Sequence, residues 1–231
     1  MLKIRYGITF IILFLISCGG SVTESPVQTN SSNSLRYLAL GDSYTIGESV
    51  AENERWPQQL ASLLREDGMQ VDITIIARTG WTTSELWEGI QNDEVTPPYD
   101  MVSLLIGVNN QYRGYDIEEY RKEFIFLLNK AIEYAGGDAS RVFVLSIPDW
   151  GATPFAASRD AEKIANEIDA FNKVNMEESQ NLGVAYVDVT PVSREAVNDS
   201  ELIANDGLHP SGKMYAEWAR LALPIALEIL K

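Results

Sequence analysis

The sequence predicts an α/β chain: a five-stranded parallel sheet with helices on both faces. Two observations carry that expectation. From Leu35 onward, short β-rich runs alternate with longer segments of helical period, and such alternation calls for right-handed crossovers that lay helices over both faces of a parallel sheet. Several of the runs, MVSLLI at 101–106 and VFVLSI at 142–147 among them, are almost continuously apolar, as strands covered on both faces are.

Strands are expected over 35–40, 71–77, 100–106, 141–147 and 184–189. Between them, Thr82 with Glu85 and Asp116 with Glu119 have capping-box spacing, and Gly136-Gly137 stops the second of these helices. That helix lines up Tyr120, Phe124, Leu127, Ala131 and Tyr134 on one stripe. The next lines up Ala161, Ile164, Ile168 and Phe171. The last helix starts near Ser211, turns Met214, Trp218 and Leu221 inward, and meets Pro224, where a kink or break is expected.

The first residues, MLKIRYGITFIILFLISCGG, have a basic start at Lys3 and Arg5, an apolar run from 6 to 16, and small residues after it. This is the layout of an export signal, and the run is too short for a spanning helix of roughly 20 apolar residues. Its end, Leu15-Ile16-Ser17-Cys18, resembles the lipobox of bacterial lipoproteins, in which cleavage precedes a cysteine that becomes lipid-modified. The expected organisation is therefore a signal peptide over 1–17, a lipidated Cys18 with a flexible tether to 34, and one domain over 35–231. The tether GGSVTESPVQTNSSNS has too few apolar residues to pack, and its length would hold the domain on the order of 20 Å from a membrane. An exported protein anchored to a bacterial membrane is the localisation this implies.

The chain carries 18 basic and 33 acidic residues, a net charge of -15. Loss of residues 1–17 would remove Lys3 and Arg5 and no acid, leaving 16 against 33, or -17. With no basic run, phosphate backbones would be repelled, so nucleic acid is not an expected partner. Cys18 is the single cysteine and His209 the single histidine. An intramolecular disulfide is excluded, and a zinc site would need unusual carboxylate ligation. No P-loop, no Gly-x-Gly-x-x-Gly cradle and no Gly-x-Ser-x-Gly elbow is present. No metal or organic cofactor is expected.

Open α/β sheets bind ligands beyond the carboxyl ends of their strands, and chemistry-bearing residues fall at those ends. Ser43 follows the first expected strand, Gly80 the second and Asn109 the third, while His209 lies after the fifth. A serine hydroxyl needs a base to become a nucleophile near neutral pH, and imidazole has the right range. Imidazole in turn needs an acceptor on its other nitrogen. Asp206, three residues before His209 in DGLHP, can reach it across a tight turn; Asp42, Asp100 and Asp149 also lie near strand ends, with Asp42 better suited to capping the backbone. The backbone N–H groups of Ser43 and Gly80 and the Asn109 side chain are candidate donors to an oxyanion.

GDSYT at 41–45, RTGW at 78–81, GVNN at 107–110 and DGLHP at 206–210 resemble, in order, the four signature blocks of the SGNH hydrolases, the GDSL esterase and lipase family. The resemblance spans essentially the whole expected domain. It implies a flavodoxin-like three-layer α/β/α sandwich, Ser43 as nucleophile, His209 and Asp206 completing a triad, and Ser43, Gly80 and Asn109 forming the oxyanion hole. Tyr44 stands where the family tetrapeptide has leucine, and Asn110 where an aspartate often follows the oxyanion asparagine.

IPDWGATPFA at 147–156 follows the fourth strand and is expected to overhang the crevice, with Trp150, Phe155 and Tyr44 lining a substrate pocket. The expected activity is hydrolysis of a carboxylic ester or thioester, on a lipid acyl ester or an acetylated carbohydrate. The alternative is a surface-anchored glycan-binding module that keeps the fold without turnover.

Overall fold

The computed structural model describes residues 34–231. The export signal, Cys18 and all but the last residue of the tether lie outside the described residues. Five strands, β1 (Leu35–Gly41), β2 (Val71–Ala77), β3 (Met101–Leu105), β4 (Val142–Leu145) and β5 (Ala185–Val187), form one parallel sheet in the spatial order β2-β1-β3-β4-β5. Every residue of β3 and β4 is buried, which is why these runs read as continuously apolar. The strand order reverses on either side of β1, and Gly41 pairs with Ala77 of β2 and Leu105 of β3. Three strands thus end level beside the reversal, the place where such sheets form a ligand crevice.

The helices are α1 (Ser43–Ile46), α2 (Trp56–Glu66), α3 (Thr83–Gln91), α4 (Val108–Tyr112), α5 (Ile117–Tyr134), α6 (Ala161–Asn181), α7 (Thr190–Arg194) and α8 (Gly212–Ile229). α2 and α8 pack together over one face of the sheet; α3, α5 and α6 lie side by side over the other. The three-layer sandwich expected from the sequence is present. Among the described residues no helix is long and apolar enough to cross a membrane.

Local signals account for most helix starts. Thr82 and Glu85 form a reciprocal capping box on α3. On α5 the Asp116 carboxylate accepts the N–H groups of Glu118 and Glu119. α2 has no such signal: Arg55 offers no side-chain cap, and the helix opens with Trp56 and Pro57, whose missing N–H is no loss in a first turn.

Three expectations about helix faces are corrected. Ala161 is exposed, because it is the first residue of α6, ahead of the buried stripe of Ile164, Ile168 and Phe171. Leu221 is exposed as well, since the buried face of α8 runs through Met214, Trp218, Ala222 and Ala226 and leaves Leu221 to one side. α8 also continues unbroken through Pro224. That proline is on the exposed face, where water can take the carbonyl freed by its missing N–H.

Candidate active site

β1 ends in Gly41, and the chain turns at once into α1. A Cβ on Gly41 would lie 2.5 Å from the Leu105 carbonyl oxygen and overlap the Thr45 hydroxyl, so only glycine lets the chain turn this close to β3. Asp42 caps α1 by accepting the Tyr44 N–H at 3.0 Å, the capping role expected of it. Ser43 is consequently the first residue of a helix, its peptide N–H among those left free by helix geometry.

Beyond β2, Gly80 has φ +88°, a left-handed conformation that other residues adopt only with strain. Its carbonyl accepts an N–H from Arg113 at 2.6 Å. Beyond β3, Asn109 lies in the first turn of α4, and its Nδ2 donates to the Trp81 carbonyl at 2.9 Å. An amide nitrogen carries two hydrogens, so this bond anchors the side chain and leaves the second for a ligand. Asn110 is fully buried. It accepts the Thr83 N–H at 3.1 Å and donates to the Thr83 hydroxyl at 2.7 Å, joining α4 to α3.

Asp206 and His209 lie on the connection between β5 and α8. Antiparallel pairing of Ile203 with Pro210 closes a short loop around them. The Asp206 carboxylate accepts the N–H groups of Leu208 and His209 through Oδ1, both at 2.9 Å, and meets His209 Nδ1 through Oδ2 at 2.6 Å. Oδ2 also accepts the Ser49 hydroxyl at 2.6 Å. Partial burial pushes the Asp206 carboxyl up, but the hydrogen bonds from Ser49, His209 and Leu208 outweigh it and hold it well below the usual carboxylate range.

These segments meet in one cavity of about 200 Å³, lined by Ser43, Thr79, Gly80, Asn109 and His209 on its polar side and by Tyr44, Val108, Tyr112, Trp150, Phe155 and Leu208 on its apolar side. Every sequence-predicted site residue among those described is brought to this cavity, with Asp206 behind His209. The hydrogen bonds of the described residues include none between the Ser43 hydroxyl and the imidazole, which meet here as wall residues of one cavity. Tyr44 is buried with its ring edge-on to His209, centroids 5.8 Å apart. Trp150 is nearly buried and donates its indole N–H to Gln111 at 2.8 Å, whereas Phe155 packs against it and stays half exposed.

Burial shapes the remaining ionisable groups. Asp42 is completely buried with Oδ2 unpartnered, and desolvation pushes its carboxyl up to about 7 against the opposing pull of the Tyr44 N–H. Desolvation, reinforced by the charges of Asp42, Asp149 and Asp206, raises the Tyr44 phenol far above its ordinary value. Asp149 is paired with Arg194 at 2.9 Å and caps the turn at Gly151, which places it in the support of the Trp150 loop and away from the imidazole's acceptor role.

Sequence reasoning missed Thr79, Val108, Tyr112 and Leu208 in the cavity wall. Each is within three residues of a predicted site residue, so proximity to a motif was the available signal. It also missed Ser49, for which the sequence offers no local signal.

The family described as GDSL-like lipase/acylhydrolase matches residues 39–217. No curated protein matches the chain in sequence. Solved structures with the same architecture include the lipase/acylhydrolase from Enterococcus faecalis, at 20% identity and TM-score 0.67 over 85% of this chain and 97% of that one. A member of the lipolytic protein G-D-S-L family from Veillonella parvula DSM 2008 has 19% identity and TM-score 0.64 over 83% and 97%. A mutant of Axe2, an acetyl-xylooligosaccharide esterase from Geobacillus Stearmophilus, has 18% identity and TM-score 0.65 over 83% and 94%. At these identities the likeness is one of fold.

Proposed function

The chain belongs to the GDSL-like lipase/acylhydrolase family and is a serine ester hydrolase, and on that premise we propose that it works through Ser43, His209 and Asp206 on esters of short acyl groups. The observation that carries the reading is the Asp206–His209 pair at 2.6 Å, set on a cavity that Ser43, Gly80 and Asn109 also line.

Ser43 Oγ attacks the ester carbonyl carbon while His209 Nε2 takes the hydroxyl proton, and the carbonyl electron pair moves onto oxygen. Asp206 accepts the Nδ1–H, which sets the tautomer and steadies the imidazolium that forms. The Ser43 N–H, the Gly80 N–H and the free Asn109 N–H receive the oxyanion. Collapse of the intermediate expels the alcohol, which takes the proton back from His209, and leaves the acyl group on Ser43. Water then gives a proton to His209 and adds to the acyl carbon; collapse of this second intermediate breaks the bond to Ser43 Oγ, which takes the proton back from His209, and the carboxylic acid leaves.

The cavity of about 200 Å³ is smaller than the roughly 300–1,000 Å³ usual for small-molecule pockets. That size favours acetyl and other short acyl groups over long chains, and the acetyl-xylooligosaccharide esterase among the structures of similar fold supports an acetylated carbohydrate as substrate. A panel of acyl chain lengths tests this: a sharp two-carbon preference supports deacetylation, and tolerance of long chains supports a lipase-like role.

The nucleophile is tested with a fluorophosphonate probe and peptide mass spectrometry, with Ser43→Ala as control. Labelling confined to Ser43 is expected; a folded protein that takes no label would favour the glycan-binding alternative. The proposed setting is a bacterial membrane, reached through a lipid on Cys18, on the strength of the lipobox-like Leu15-Ile16-Ser17-Cys18. Cys18→Ala is expected to move the protein from the membrane fraction to the soluble one, and unchanged fractionation would overturn the anchor.

A further inference from the structure

The pair formed by Asp206 and His209 is a local unit. Three of the four hydrogen bonds to the Asp206 carboxylate come from Leu208 and His209 on its own turn, and these say nothing about where the nucleophile stands. The fourth comes from Ser49, across 157 residues. Among the described residues it is the one hydrogen bond joining the Asp206 side chain to any other part of the fold.

Ser49 is well placed to carry position from Ser43. The Ser43 carbonyl accepts the N–H groups of both Gly47 and Glu48 at 3.0 Å, so the segment is folded back on the nucleophile. The Thr79 hydroxyl, beside Gly80, donates to the Glu48 carboxylate, tying the same segment to the oxyanion side of the cavity. Ser49 itself has φ +67° and is the single non-glycine residue with positive φ among those described. Glycine would adopt this backbone without strain, and such strain persists where the surroundings impose it. What serine supplies here and glycine lacks is the hydroxyl on Asp206.

We propose that Ser49 is a positioning residue that ties the acid–base turn to the nucleophile segment by donating its hydroxyl to the Asp206 oxygen that also receives His209 Nδ1. The inference rests on the proposed triad. Sharing Oδ2 has a second effect: the hydroxyl competes with the imidazole for the same negative charge, so the carboxylate holds imidazolium less tightly than it would alone. The other ionisable groups gathered around this cluster are Asp42 and Tyr44 beside Ser43, Glu48 next to Ser49, Asp149 beyond β4 and Tyr215 of α8. Substitution of Ser49 leaves all of them in place.

The test uses the whole chain with Ser49→Ala and Ser49→Gly. Because His209 is the only histidine, its ring C–H resonance in NMR reports the imidazole titration without reference to turnover. Both variants are expected to titrate at higher pH than the parent and to lose roughly ten-fold in kcat with KM little changed, the scale of one hydrogen bond to a charged group. Ser49→Gly is expected to keep or raise Tm, which separates lost positioning from lost stability. An imidazole titration unchanged in both variants would overturn the proposal. A parent chain that hydrolyses no ester would undo the triad reading instead, and the NMR titration would still judge the Ser49–Asp206 contact.

Discussion

His209 Nδ1 lies 2.6 Å from Asp206 Oδ2, three residues away on one turn, while the backbone N–H of the same histidine bonds Asp206 Oδ1. One carboxylate therefore grips both the main chain and the ring of the histidine. Removing it would free the ring to rotate and to take the wrong tautomer. Asp206→Asn is expected to lower kcat by about 10⁴-fold, the scale for a triad acid, measured on a short-chain p-nitrophenyl ester. A loss under ten-fold would assign the acid elsewhere.

Asn109 is anchored by the Trp81 carbonyl with one N–H to spare. Loss of one preorganised oxyanion donor lowers turnover by roughly 100- to 1000-fold, and Asn109→Ala should fall in that range in kcat with KM little affected. Near-normal turnover would remove Asn109 from the oxyanion hole.

Asp42 makes the protein less stable as pH rises. Its carboxyl titrates at about 7 when folded because burial disfavours the charge, and near 4 in the unfolded chain. Between those values the folded state binds the extra proton, so stability present below about pH 4 is progressively lost up to about pH 7, by on the order of 4 kcal/mol. Asp42→Asn keeps an acceptor for the Tyr44 N–H and removes the ionisation. Urea unfolding should show the variant gaining on the parent from pH 4.5 to pH 7.5. A pH-independent difference would mean that Asp42 does not titrate in this window.

Trp150 closes the apolar side of the cavity and is held by Gln111, itself tied to Glu167. Trp150→Ala should lengthen the preferred acyl chain in a p-nitrophenyl ester series and destabilise the fold by about 3–5 kcal/mol, as truncations of buried tryptophan do. An unchanged chain-length profile would place the acyl group elsewhere in the crevice.

The strands, the two-faced sheet and the segments that meet at the cavity were legible in sequence because each is written in a local code. Apolar runs mark buried strands, and small polar residues after them mark the crevice. Asp206 was legible too, since three residues and a turn suffice to bring it to His209. The helix faces were less so: Ala161 and Leu221 satisfy an apolar pattern but lie outside the stripes that the sheet covers. Pro224 would break an isolated helix, and the exposed face of α8 is what tolerates it.

By itself the sequence determined the order of strands and helices and which polar side chains follow the strands, because hydrophobic period and turn chemistry act over a few residues. Only the tertiary structure decided what those side chains meet. The Ser49 hydroxyl on Asp206, the Trp81 carbonyl on Asn109 and the desolvation of Asp42 all depend on segments far apart in the chain. Hydrogen-bond geometry and burial exist only once the sheet has set those segments side by side.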